Sequence, residues 1–291
     1  LSLVGSEMCI RDSLDRVQEV LDYAVDDDMY VILNIHHDTD KEYCYPDKEH
    51  LEQSLSYMTF IWEQLADRFG DYDEHVIFES INEPRLVETD HEWWLDMNAA
   101  ECVEAVECIN EWNQNFVDVV RKTGGNNATR YLMVPGYDAS ADGVLNDKFV
   151  LPTDTAENEG KILVSVHAYI PYHFALQAAT ENESIDQFNA SEKTSTNDID
   201  QMMEKLYAKY ISNEIPVVIG EFGARDKNGN LQSRVDYAAY YIAAARAYGM
   251  SCNWWDNNAF TGDGELFGLL DRKTVTWRYP KIVDALMKYA E

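Results

Sequence analysis

Val76-Ile77-Phe78-Glu79-Ser80-Ile81, followed by Asn82-Glu83-Pro84, is a short apolar run that ends on a carboxylate and is stopped by a proline. Six residues of this kind suit a strand buried in a parallel sheet. Pro84 pushes Glu83 toward extended backbone and ends the strand. A carboxylate at the end of an apolar strand is costly unless it is paired or needed. The pattern returns at Pro216-Val217-Val218-Ile219-Gly220-Glu221, where a second apolar run ends on a second glutamate.

Four more apolar runs flank these two: 30–35, 130–135, 162–167 and 252–255. Helical stretches are expected between them, at 14–27, 51–69, 102–122, 198–211 and 234–248, with a last one at 280–289. The first of these carries Val17, Val20, Leu21 and Ala24 on one face. Strand alternating with helix argues a parallel sheet covered by helices, either doubly wound or closed as a barrel. No glycine-rich phosphate loop follows a strand, which weighs against the doubly wound form. Polar, chemically capable residues end nearly every strand: His36, Asn82 with Glu83, Tyr137, His167 with Tyr169, Glu221 and Trp255. In a (β/α)8 barrel those ends converge on one mouth. The expected fold is therefore an α/β (β/α)8 TIM barrel lacking its first two β/α units in this chain.

Residues 1–13 (LSLVGSEMCIRDS) show no periodicity that continues into the helix expected from residue 14, and they resemble a translated sequencing-adaptor remnant. They are read as a foreign tail, with residues 14–291 as one catalytic barrel, partial at its start. Such a barrel would expose two sheet edges. The chain is accordingly expected to be weakly folded, and a cooperative melt above about 45 °C would contradict that.

The formal charge of −30 repels nucleic acids and anionic membranes, and it is compatible with an uncharged substrate. No apolar stretch is long enough to span a bilayer. The five cysteines form no CxxC pair and no zinc spacing, and a Cys102–Cys108 bridge is disfavoured by geometry. Asn127, Asn182 and Asn189 each open an N-x-S/T sequon. His36-His37-Asp38 has the residue types of a metal site, but adjacent histidines are poorly spaced to share one ion. No metal or other cofactor is expected.

Two glutamates at one barrel mouth suggest glycoside hydrolysis, which needs one carboxyl to protonate the leaving oxygen and another to attack or activate water. The segments 31–38 (VILNIHHD), 78–85 (FESINEPR), 132–140 (LMVPGYDAS), 164–172 (VSVHAYIPY), 217–224 (VVIGEFGA) and 253–258 (NWWDNN) resemble glycoside hydrolase family 5, the cellulase A family of clan A. The match is similar in order and spacing across nearly all of 14–291. NEPRL, the HEWW after it and VPGYDAS resemble most the branch of endo-β-1,4-glucanases that also take xyloglucan, mixed-linkage glucan or xylan.

The resemblance implies a retaining enzyme in which Glu83 is the acid/base and Glu221 the nucleophile. Glu83 must then hold a proton near neutral pH, helped by burial and by its negative neighbour. Asn82 resembles the asparagine that binds the sugar 2-hydroxyl. His36 resembles the histidine lining the subsite of the attacked sugar, and His37 is a second candidate for sugar contact. His167 and Tyr169 resemble the pair that supports the nucleophile, with Tyr169 hydrogen-bonded to Glu221. Trp255 resembles the aromatic platform under that sugar, and Trp254 is its core-facing neighbour. Tyr137, Trp93, Trp94 and Tyr172 are candidates for outer sugar contacts. The segments 151–160 and 178–197 are expected as insertions at the mouth.

One departure stands out. The family places an arginine late in the second barrel unit, against the nucleophile, and no arginine here matches it. The resemblance further implies a neutral plant β-glucan or related polysaccharide as partner, a monomer and an extracellular location. A mannanase, a xylanase, an exo-acting glucosidase or a non-catalytic carbohydrate-binding barrel remain as other readings.

Overall fold

The computed structural model describes residues 7–290 apart from residue 263, with side chains from residue 14 onward. It falls into two compact units, Leu1–Ser165 and Val166–Glu291.

The first unit contains α1 (Glu7–Asp26), β1 (Val31–Asn34), α2 (Leu51–Arg68), β2 (Val76–Glu79), α3 (Ala100–Lys122), β3 (Leu132–Pro135), α4 (Ala141–Leu145) and the start of β4 (Ile162–His167). The strands pair in parallel in chain order: Val31 lies opposite Val76, Phe78 opposite Leu132 and Leu132 opposite Ile162. Period-two alternation makes the two faces of β2 differ. Phe78 packs under Trp62 of α2, and the Trp62 indole donates to the Ser80 carbonyl (2.9 Å). Asn113 of α3 closes this seam by accepting from the Ser80 hydroxyl and donating to the Pro135 carbonyl. On the other parity, Glu79 is buried and accepts from Asn34 (2.8 Å) and Ser165 (2.5 Å), so β1, β2 and β4 meet on one carboxylate.

At the other end of these strands Arg130, 2% exposed, donates to the carbonyls of Phe69, Tyr72, Asp73 and Val76. Burial lowers its pKa to about 10. α3 buries Cys102 and Cys108, and Cys44 is equally buried, all three as free thiols.

The second unit holds the end of β4, α5 (Tyr172–Ala175), α6 (Lys193–Lys209), β5 (Val217–Phe222), α7 (Leu231–Ala247), β6 (Ser251–Trp254), the hairpin β7 (Leu270–Asp271) with β8 (Thr276–Trp277), and α8 (Pro280–Ala290). β5 and β6 run parallel, and their register shifts between Ile219 and Phe222. The Ala168 N–H bonds the Glu221 carbonyl and the Trp255 N–H bonds that of Phe222, both at 2.9 Å. Phe222 stacks on Tyr241 (4.3 Å, 15°) and meets Trp254 edge-on, and Trp254, partly buried, packs against the buried Ala238, Leu269 and Ile282.

All six expected strands form, and the structure corrects three other expectations. α1 begins at Glu7 rather than at residue 14, while residues 1–6 lie outside the described residues. On that helix Leu21 is buried but Val20 is exposed. Segment 151–160 leads into the start of β4, at the strand ends opposite the expected mouth, where Asp154 binds Arg121 of α3 (2.8 Å). Asn127 is buried, with its side-chain amide donating to the Ala66 carbonyl and the Thr123 hydroxyl, so its sequon is closed to modification. The β7–β8 hairpin carries no expectation from the sequence, because two-residue strands leave no periodicity to read.

Candidate active site

In the first unit the backbone keeps its ladder beyond β2. The Ser80 N–H bonds the Met133 carbonyl (3.0 Å) and the Asn82 N–H bonds the Ile35 carbonyl (2.9 Å). This carries Asn82 and Glu83 out at the C-terminal strand end beside His36. Asn82 is buried, and its side-chain oxygen has no hydrogen-bond partner among the described residues. Glu83 is about one-fifth exposed at its side chain, with the Arg85 guanidinium 3.7 Å away. His36 is half-buried and His37 exposed, with their rings edge-to-face at 4.5 Å.

Tyr137 stands differently from its expected role as a sugar contact. It is fully buried, and its hydroxyl accepts the Leu86 N–H (3.0 Å) and donates to the His91 carbonyl (2.6 Å). Burial pushes its phenol up. It pins the loop after Glu83 from below, and the Asp138 N–H bonds the Pro84 carbonyl at 2.7 Å. That turn requires glycine: a Cβ on Gly143 would sit 2.2 Å from the Tyr137 carbonyl oxygen. Trp93 and Trp94, on the pinned loop, are 53% and 65% exposed.

In the second unit Glu221 sits within the register shift of β5, the irregularity that redirects a side chain at a strand end. The residue is 9% exposed. Its Oε2 accepts the Tyr169 hydroxyl at 2.7 Å, and His167 Nδ1 lies 3.7 Å from the same oxygen. The pair implied by the family resemblance thus converges on one carboxylate oxygen. Trp255, half-buried, follows directly from the strand that carries Trp254. Tyr172 is exposed at 36%. Arg225 donates to the Leu176 and Gly264 carbonyls.

Two features had no clear signal in the sequence. The buried Glu79 read only as part of an apolar run. Lys227, 1% exposed, donates to the His173 carbonyl (2.7 Å), the Ser184 hydroxyl and the Ile185 carbonyl, and so fastens the segment after β4. Burial lowers its pKa to about 8. For metal, Asp47, Glu49 and His50 bring potential ligand atoms within 4.8 Å of one another at the surface, but the Asp47 carboxylate is already engaged by the His50 ring and N–H.

The family model "Cellulase (glycosyl hydrolase family 5)" matches residues 6–261. The chain belongs to glycoside hydrolase family 5. Among curated family members it is 42% identical over 278 residues to Endoglucanase B of Ruminococcus albus, covering 96% of this chain and 63% of that protein. It is also 42% identical over 276 residues to Endoglucanase B of Neocallimastix patriciarum, covering 94% and 54%. The chain thus spans less than two thirds of these relatives. Among solved structures, a family 5 lichenase from Caldicellulosiruptor sp. F32 matches with 58% identity and a TM-score of 0.95, covering 98% of this chain and 75% of that one. A GH5-4 broad specificity endoglucanase from Ruminococcus champanellensis, with bound cellotriose, matches with 44% identity and a TM-score of 0.84, covering 94% and 74%. The fold class is the (β/α)8 barrel, of which the described residues hold six parallel strands.

Proposed function

We propose that this family 5 chain is a retaining endo-β-1,4-glucanase acting on neutral β-glucans such as cellulose, mixed-linkage glucan or xyloglucan. The observation that carries the reading is the Glu221 carboxylate, nearly buried in a strand irregularity and held by the Tyr169 hydroxyl at 2.7 Å. A hydrogen bond to an ionised carboxylate favours its charge and fixes its aim, which is what a nucleophile requires. Glu83 is assigned as the proton donor. In the first step Glu83 protonates the leaving glycosidic oxygen while Glu221 attacks the anomeric carbon and forms a glycosyl ester. In the second, Glu83 accepts a proton from water, and the water displaces Glu221.

Asn82 is assigned to the sugar 2-hydroxyl, since its unpartnered side-chain oxygen suits an O–H donor. His36, His37 and Trp255 are assigned to sugar contact. The substrate class is supported by relatives named endoglucanase and by neighbours whose structures hold cellotetraose and cellotriose. A polymer of this size does not cross a membrane, so the work is placed outside the cell, with the protein acting as a monomer.

The test is product analysis on cellulose, lichenan, xyloglucan, xylan and mannan, with the anomer of the first product read by NMR. A β-anomer from the glucans, and loss of at least roughly a thousandfold in Glu221→Gln, are expected. An α-anomer first, or an unchanged Glu221→Gln rate, overturns the reading.

A further inference from the structure

Arg85 lies two residues beyond Glu83 and touches three groups at once. Its terminal nitrogen is 3.7 Å from the Glu83 carboxylate and donates to the Glu83 carbonyl at 2.9 Å. Its Nε lies 3.4 Å from the Glu92 carboxylate. Its guanidinium carbon stands 4.0 Å from the centre of the Trp93 ring. The side chains of Arg85, Glu83 and Glu92 are only 18%, 19% and 24% exposed, so these charges are partly shielded from water. Glu92 is fixed in turn by the Glu88 N–H (2.9 Å), and Tyr137 pins the loop from below.

A planar cation suits this position, because guanidinium stacks on an aromatic face while its edge serves carboxylates. Trp93 is covered by Arg85 yet remains 53% exposed, which leaves indole surface for a further sugar. We propose that Arg85 is a positioning residue that couples an outer sugar platform, Trp93, to the proton donor Glu83. The platform takes a β-linked pyranose of the chain beyond the one being attacked. The proposal rests on the reading of Glu83 as acid/base.

Two consequences separate this role from mere loop support. A cation beside a carboxylate favours its ionised form. With Arg85 neutralised, Glu83 holds its proton to higher pH, and the alkaline limb of kcat/KM, which reports the acid in the free enzyme, moves up. Loss of the stacked platform weakens only substrates long enough to reach it.

The experiment compares Arg85→Gln, Arg85→Lys and Trp93→Ala with the parent chain, on cellohexaose and on a short aryl cellobioside, from pH 4 to 9. Arg85→Gln is expected to raise the alkaline limb by about one pH unit on both substrates. Both Arg85→Gln and Trp93→Ala are expected to lower the cellohexaose-to-cellobioside ratio of kcat/KM by roughly tenfold. Arg85→Lys restores the limb to the parent position but not the ratio, since ammonium keeps the charge and loses the planar stack. A uniform fall on both substrates with an unmoved limb overturns the proposal, as does a Trp93→Ala ratio equal to the parent's. Glu83→Ala is run alongside. If it removes the alkaline limb while Arg85→Gln leaves it in place, only the role of Arg85 falls. If Glu83→Ala leaves the limb and the rate unchanged, the acid/base reading falls and this proposal with it.

Discussion

Tyr169 and Glu221 show how much chemistry one hydrogen bond can set. The phenol donates to a carboxylate that is 9% exposed, where few water molecules can replace it. Tyr169→Phe removes a charge-assisted bond worth about 1.5–3 kcal/mol. The expected result is a fall in kcat of roughly ten- to a hundredfold, measured on an aryl cellobioside. This pair was legible in advance through the family resemblance, and the two-residue spacing of His167 and Tyr169 at a strand end agrees with it. Tyr137 was not. Its position at the end of an apolar run suits a sugar platform and a buried pin equally well, and only the distant partners Leu86 and His91 decide between them. Asn127 teaches the same point, since its sequon says nothing of the Ala66 carbonyl and Thr123 hydroxyl that claim its amide.

At the scale of elements, the strands were readable because each apolar run is short and bounded, and the helices because their periodicity is long. Ends were less readable. α6 starts at Lys193 and α7 at Leu231, several polar residues earlier than the apolar pattern alone suggests. The register shift in β5 was not read in advance, although Gly220 inside the strand is the kind of residue that marks such an irregularity. Lys227 holds the segment 173–185 by three acceptors, and its depressed pKa of about 8 makes that hold depend on pH. Below about pH 8 the amine is charged in both folded and unfolded chains, and burial of that charge costs stability in full. Between about 8 and 10.5 the folded chain has lost a proton that the unfolded chain keeps, so stability rises with pH and levels off above that window. Lys227→Met lacks this dependence. The stability of the parent relative to Lys227→Met is therefore expected to grow by up to about 3 kcal/mol from pH 8 to 10.5, read from urea unfolding at each pH. A flat difference across the window would contradict it.

For the molecule as a whole, a formal charge of −30 decides what it meets easily. A neutral glucan feels no long-range field, so its KM is expected to change less than about twofold between 0.05 and 0.5 M NaCl. Carboxymethylated cellulose is repelled at low salt, and its KM is expected to fall as the Debye length shortens. Equal salt responses for the two polymers would count against a negative field at the binding surface. The three buried thiols offer something else. Cys102 and Cys108 lie on the covered face of α3, Cys44 is fully enclosed, and burial pushes the Cys108 thiol up to about 12. A disulfide reagent can reach such sulfurs only in the moments when their surroundings part, and only the thiolate then reacts. Each thiol is thus a built-in stopwatch. The rate at which it is labelled, compared with that of a free thiol, counts how often that piece of the protein comes open while the rest stays closed.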